Sequence, residues 1–283
     1  MGIQLQKVSF NYPGFKREYH ALKNVDLSIE KNGEFIAILG QTGSGKSTLV
    51  QHLNALIKPT SGSINILGTI LPSKKKIKIN PIRQKVGLVF QFPEYQLFEI
   101  TIIKDVSFGP MNFKETKDKS IIYAKEALSL VGIYEDMYEE SPFRISGGEM
   151  RRVAIAGILA MKPEILVLDE PTRGLDPQGR IDIMEMFNNI HLKNNSTILM
   201  ITHDMDIVAK YAKRAIVLKD GEIVFDGKPK ELFVHPKFNE FHLDYPTPMK
   251  ILNEISDKLN IPKKLVLSNE ELLNHLKETL NEY

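Results

Sequence analysis

Apolar and polar positions alternate along the first thirty residues. Ile3 and Leu5, then Val8 and Phe10, then Val25, Leu27 and Ile29 recur at every second residue. This period predicts antiparallel strands with one face in water. From Phe35 the pattern changes to short unbroken apolar runs, Phe35 to Leu39, Ile165 to Leu168 and Ile198 to Ile201, each closed by polar or glycine-rich residues. Such runs predict strands covered on both faces, as in a parallel sheet. Behind the first run, Leu49, Val50, Leu53, Leu56 and Ile57 fall at helical spacing and stop at Pro59 and the Thr60-Ser61-Gly62 turn. Strand, glycine loop and helix in that order open an α/β unit.

Between Gln91 and Ser146 the spacing of Ile121, Ala124, Leu128 and Val131, flanked by Pro110 and Pro142, predicts a separate helical subdomain. Ala215 to Leu218 and Glu222 to Phe225, joined through Asp220-Gly221, predict a hairpin. The tail from about Pro229 carries Pro236, Pro246, Pro248 and Pro262 and two amphipathic helix patterns. Met249, Leu252, Ile255 and Leu259 line the first; Leu272, Leu273, Leu276 and Leu280 line the second, with Ser268 and Glu271 at capping-box spacing. The chain contains no internal repeat.

Composition narrows the classes. With 42% hydrophobic and 25% charged residues the chain is neither disordered nor membrane-spanning in character. Its longest apolar run, Val153 to Met161, is nine residues, against the roughly 20 that a spanning helix needs. No signal-peptide pattern opens the chain, so any membrane role is expected to come through a partner. The absence of cysteine removes disulfides, thiol nucleophiles and thiolate metal sites. Lys and Arg total 37 against 35 Asp and Glu, which gives nucleic acid no global electrostatic attraction. The run Lys74, Lys75, Lys76 with Lys78 reads as a solvated loop, with acidic lipid contact as the minor reading.

Gly40-Gln41-Thr42-Gly43-Ser44-Gly45-Lys46-Ser47-Thr48 matches G-x-x-x-x-G-K-[ST] between an apolar strand and a helix. Glycines let the loop curl so that successive N–H groups face one anion, and the helix adds its positive end. Lys46 is expected to meet the β- and γ-phosphates of a nucleoside triphosphate, and Ser47 to offer a hydroxyl to Mg²⁺. Asp169 at the end of an apolar strand suits a carboxylate acting on the metal, and Glu170 beside it can polarise an attacking water. Ser146 and Glu149 form a capping-box pair before the run Val153 to Met161, and a glycine-rich helix start there is also an anion site.

Taken in order, the P-loop, Ser146-Gly147-Gly148-Glu149, Asp169-Glu170-Pro171-Thr172, Gly174-Leu175-Asp176-Pro177 and Ile201-Thr202-His203-Asp204 resemble the motif series of ATP-binding-cassette ATPases, over roughly residues 3 to 230. The resemblance implies a P-loop cassette with a mixed sheet core, an N-terminal antiparallel subdomain, a helical subdomain at about 92–160 and a helical extension over 231–283. It also implies a head-to-tail dimer with ATP between the P-loop of one subunit and the signature Ser146-Gly147-Gly148 of the other. Tyr12 then corresponds to the aromatic that stacks on adenine, with Tyr19 as competitor. Gln91 corresponds to the glutamine that reaches the metal and senses the γ-phosphate, His203 to the switch histidine, and Asp176 to the aspartate coupling the two sites. Two positions depart from the family: Glu149 where glutamine is commoner, and Arg173 where a small residue is usual.

The segment Val89-Phe90-Gln91-Phe92-Pro93-Glu94-Tyr95-Gln96-Leu97-Phe98, with Glu149-Met150-Arg151-Arg152 after the signature, looks like the A-prime ATPase of energy-coupling factor (ECF) transporters. That resemblance implies vitamin or metal-ion uptake, a second non-identical cassette ATPase, a transmembrane coupling protein, a substrate-binding membrane subunit, no nucleic acid, and a place at the cytoplasmic face of the membrane. It makes Phe90, Phe92, Tyr95, Leu97 and Phe98 part of a groove for a coupling helix whose arginine would seek a carboxylate such as Glu94 or Glu99; a core corner of the helical subdomain is the competing reading. ATPases of other importers and exporters share the catalytic motifs and differ in this segment and the tail. Soluble switch ATPases usually carry two cassettes or a long coiled-coil insertion, and the sequence displays neither.

Overall fold

The computed structural model describes residues 2–13, 20–73, 77–259 and 262–280. Tyr19 and the run Lys74, Lys75, Lys76 lie outside the described residues, as does the side chain of Leu280. In chain order the elements are β1 (Ile3–Asn11), β2 (His20–Ile29), β3 (Phe35–Leu39), α1 (Lys46–Leu53), β4 (Ser61–Ile66), β5 (Thr69–Leu71), α2 (Asn80–Lys85) and β6 (Val86–Val89). There follow α3 (Ile102–Asn112), α4 (Lys117–Leu130), α5 (Gly147–Leu159), β7 (Ile165–Asp169), α6 (Pro177–Asn194), β8 (Thr197–Ile201) and α7 (Met205–Tyr211). The chain ends with β9 (Arg214–Lys219), β10 (Glu222–Gly227), α8 (Pro229–Phe233), α9 (Thr247–Leu259) and α10 (Asn269–Leu280).

The alternating N-terminal residues form an antiparallel sheet in the order β2, β1, β4, β5. Its apolar positions change parity between Leu5 and Val8, and the ladder slips at that point, with Lys7 at φ 47°. One bulged residue therefore returns Val8 and Phe10 to the face already used by Ile3 and Leu5. The unbroken runs form a second sheet in the order β10, β9, β3, β8, β7, β6. It is parallel from β9 through β6, and β10 is antiparallel at its edge. Asp220 and Gly221, both at positive φ, close the β9–β10 hairpin.

Burial on both sides explains the unbroken apolar runs. Ile36, Ile38, Val167 and Leu199 face the antiparallel sheet and Leu49, Val50 and Leu53 of α1. Phe35, Leu166, Leu168, Ile198 and Met200 face the opposite way, onto Ile183, Met184 and Phe187 of α6 and the helices α3 to α5. Full burial of each such side chain contributes about 1.5–3 kcal/mol.

Three helices differ from the periodicity. The first stops at Leu53 and does not reach Ile57, because the Asn54 amide donates to the Val86 carbonyl and Ala55 turns to φ 55°; Leu56 is left exposed. In the tail, Met249, Leu252 and Leu272 are buried, whereas Leu259 and Leu273 are 60% and 55% exposed. Ser256, His275 and Thr279 fill the inner positions instead, so the buried stripe is narrower and more polar than its leucines suggest.

Candidate active site

Strands β3, β8, β7 and β6 are neighbours and parallel, so their carboxyl ends lie side by side. Open α/β sheets bind ligands at that edge. Each end delivers one motif: residues 40–48 follow β3, His203 follows β8, Asp169 closes β7 and leads into Glu170, and Gln91 follows β6.

Two P-loop positions admit only glycine. A Cβ on Gly40, at φ 135°, would lie 2.1 Å from the Leu218 carbonyl oxygen; one on Gly45, at φ 105°, would lie 2.4 Å from that of Ala21. Gln41, Thr42 and Gly43 are exposed at the loop crest, while Ser44, Lys46 and Thr48 are buried and Ser47 faces out. The Lys46 ammonium donates to the carbonyls of Gly40 and Gln41, both at 2.8 Å. Burial pushes its pKa below the ordinary lysine range, and the charges of Glu170 and Asp169 pull it back upward. The Ser44 hydroxyl oxygen is buried within the loop without a hydrogen-bond partner, an arrangement that costs about 1–3 kcal/mol unless an acceptor arrives. Tyr12 packs edge-on against Phe10, with its hydroxyl 3.1 Å from that of Thr48, so the ring is tied to the helix behind the loop.

Burial, and next to it the charge of Glu170, raises the pKa of Asp169, while Lys46 opposes the rise. Glu170 adopts φ 48°, donates its N–H to the Ile201 carbonyl at 3.1 Å, and is held by three side chains. His203 Nε2 lies 3.2 Å from Oε1; Gln91 Nε2 and Arg173 Nη1 donate to Oε2 at 3.2 and 2.8 Å. A left-handed backbone at a non-glycine residue is sparsely populated, and here it aims the carboxylate at the strand ends.

The remaining predicted positions bond locally. The Ser146 hydroxyl and N–H both donate to Glu149 Oε2, at 2.7 and 2.8 Å, and Glu149 N–H donates back to the hydroxyl at 3.3 Å. This is the capping box of α5, with Ser146, Gly147 and Gly148 exposed at its mouth. Asp176 caps α6 by accepting from Gly179 N–H at 3.0 Å.

In the segment after β6, Leu97 is buried in the core, whereas Tyr95 and Phe98 are 84% and 55% exposed. Glu94, one of the carboxylates considered for an incoming arginine, is paired with an arginine of this chain. Arg151 of α5, only 4% exposed, donates from Nε and Nη2 to the Glu94 carboxylate at 3.1 and 2.8 Å. A third donor, Nη1, reaches the Arg173 carbonyl at 2.8 Å. Arg151 lies one helical turn before buried Ile155, a charged residue on the apolar face of α5, which is the signal that marks it in the sequence. Beside this network is a cavity of about 410 Å³ lined by Phe98, Asp105, Phe108, Gly109 and Met161 among others. Phe98 and Phe108 meet edge to face across 4.8 Å.

Sheet, P-loop and carboxylate pair together define a nucleotide-binding cassette ATPase. The family described as ABC transporter is matched over residues 22–173. The chain is 49% identical over 284 aligned residues to the energy-coupling factor transporter ATP-binding protein EcfA2 of Ligilactobacillus salivarius, covering 99% of this chain and 98% of that protein. It is 47% identical to EcfA2 of Enterococcus faecalis, covering 100% and 98%. Among solved structures it resembles cbiO1 of Clostridium perfringens, described as part of the ABC transporter complex cbiONQ, with a TM-score of 0.73, 36% identity, and 91% and 95% of the two chains covered. The cassette MJ0796, in a dimeric post-hydrolysis state bound to ADP and Pi, gives 0.70 at 33% identity, covering 80% and 98%. The chain belongs to the ABC transporter family, in the group of energy-coupling factor transporter ATP-binding proteins.

Proposed function

We propose that this chain is the A-prime ATPase of an ECF importer. It pairs with a second, non-identical cassette ATPase at the cytoplasmic face of the membrane and drives uptake of a vitamin or metal ion through a transmembrane coupling protein and a substrate-binding membrane subunit. The observation that carries the chemistry is the meeting of Lys46, Asp169, Glu170, Gln91 and His203 at four adjacent strand ends. The names of the relatives support the transporter assignment. Among the described residues no helix is long and apolar enough to cross a membrane.

Lys46 exchanges its two carbonyl acceptors for β- and γ-phosphate oxygens, and the Ser44 hydroxyl finds its acceptor in the same anion. Tyr12 stacks on adenine. Glu170 orients and polarises the attacking water, and His203 turns to the γ-phosphate, so that catalysis consists of positioning and charge stabilisation. Ser146, Gly147 and Gly148 face the nucleotide held by the other cassette, and Asp176 couples the two sites.

The donor set suits Mg²⁺. Ser47 offers a hydroxyl and Asp169 a carboxylate, and Gln91, which donates through Nε2, keeps its amide oxygen available. These are hard oxygen donors, and among the described residues there is no cluster of three acidic or histidine side chains to hold a cation alone; the phosphates complete such a site. Bound there, Mg²⁺ would neutralise charge on the phosphate oxygens. Phe98, Phe108 and the cavity beside them receive a helix of the coupling protein. Asp105 rather than Glu94 is the carboxylate at that cavity, although its Oδ2 already accepts from the N–H groups of Phe98 and Glu99.

Lys46→Ala should lower ATP turnover by about a hundredfold or more, as removal of a preorganised charge-stabilising donor does. Phosphate release from the purified transporter measures it, and hydrolysis at the wild-type rate would overturn the scheme.

A further inference from the structure

One of the two residues that depart from the family pattern touches the carboxylate assigned to the reaction. Arg173 Nη1 lies 2.8 Å from Glu170 Oε2, nearer than either Gln91 or His203 comes to that carboxylate. The backbone of Arg173 is fixed on both sides: its N–H donates to the Glu170 carbonyl at 3.1 Å, and its own carbonyl accepts from buried Arg151 at 2.8 Å. Only the side chain is free to move, being 58% exposed against 17% for Glu170. Gly174 follows at φ 77°, turning the chain away beneath Phe92.

A carboxylate that polarises water must present a lone pair to it. In this arrangement Oε2 accepts from both Gln91 and Arg173, whereas Oε1 meets His203 and keeps a second lone pair. The guanidinium carries a permanent charge, and a charge-assisted bond is roughly twice as strong as a neutral one. A small side chain at this position has no such bond and would leave Glu170 to Gln91 and His203 alone.

We propose that Arg173 is a positioning residue that latches Glu170 on the protein side, so that its carboxylate turns toward water and takes up a proton less readily than it would without the guanidinium, which makes basal turnover slower than the same cassette would show without it. The proposal rests on the reading of Glu170 given above. Because its Arg173 end is exposed, the latch is weak enough to break on each cycle and is screened by salt.

The test compares the full chain with Arg173→Ala, Arg173→Lys, Glu170→Gln and the double variant Arg173→Ala/Glu170→Gln, each purified in its transporter complex. Arg173→Ala should raise kcat about two- to fivefold with KM for ATP unchanged, the reach of one exposed ion pair. Lysine, a single-point donor, should fall between. The ratio of Arg173→Ala to wild-type turnover should shrink toward one as ionic strength rises, a response that a purely structural role would not produce. An unchanged or lower kcat in Arg173→Ala overturns the latch, and a raised KM overturns it in favour of direct nucleotide contact. Glu170→Gln separates the two readings. Loss of turnover in both backgrounds keeps the Glu170 assignment whatever Arg173 does; wild-type turnover in Glu170→Gln removes that assignment and the latch with it.

Discussion

At residue scale, Glu149 shows how a stabilising local contact can weaken a shared site. Its carboxylate accepts from both the hydroxyl and the N–H of Ser146, and these bonds hold its pKa below the ordinary carboxylate range. The cap is worth about 1 kcal/mol to α5. The same bond draws the Ser146 proton toward a carboxylate, while the proposed role of Ser146 is to donate to a triphosphate held by the other cassette. A negative charge near a helix start also offsets the anion affinity of that start. Glu149→Gln preserves an acceptor for the cap and removes the charge. Nucleotide-driven association of the cassettes, followed by light scattering with ATP, should tighten by about two- to fivefold, the equivalent of removing one exposed helix-end charge. Unchanged association and unchanged turnover would remove the argument.

At the scale of elements, Arg151 is a strut. From α5 it joins the segment after β6, through Glu94, to the segment after β7, through the Arg173 carbonyl. The Arg151 side chain is 5% exposed and that of Glu94 16%, so the pair is largely out of water. Arg151→Met keeps much of the volume but leaves Glu94 without its partner, and breaking a buried pair costs about 3–5 kcal/mol. Thermal unfolding should show that loss, and Arg151→Met/Glu94→Gln should recover part of it; a double variant no better than the single would mean that packing, not charge, is what Arg151 provides. What the sequence shows and hides follows the range of the interactions. Ser146 and Glu149 are three residues apart on one helix start, so their bond is legible from spacing. The runs at 35–39, 165–168 and 198–201 are legible as buried strands because both faces are covered. Their lateral order, which sets Gln91 and His203 on either side of Glu170, arises from long-range packing and leaves no periodic trace. Glu94 and Arg151 are 57 residues apart, and a glutamate beside exposed Tyr95 gives no local sign that its partner lies within the same chain.

At the scale of the whole molecule, the C-terminal helices share a core with the catalytic sheet. Met249, Leu252, Val266 and Leu272 pack in one cluster with Ala37 and Leu39 of β3, Met205 and Val208 of α7, and Phe233, Phe238 and Phe241. A polar tie reinforces it: Thr247, at the start of α9, donates its N–H and hydroxyl to the two Asp206 oxygens at 2.7 and 2.5 Å. Asp206 belongs to the first turn of α7, three residues beyond His203. The tail is therefore fastened to the helix that follows His203. Asp206→Ala removes both acceptors and should cost about 1–2 kcal/mol, the usual loss of a cap. If tail and α7 open as one unit, hydrogen exchange should accelerate in both α7 and α9 of this variant, while the amides of β1 and β2, in the separate antiparallel sheet, keep their rates. Acceleration confined to α9 would show that the tail opens alone and that movements of the extension do not reach His203.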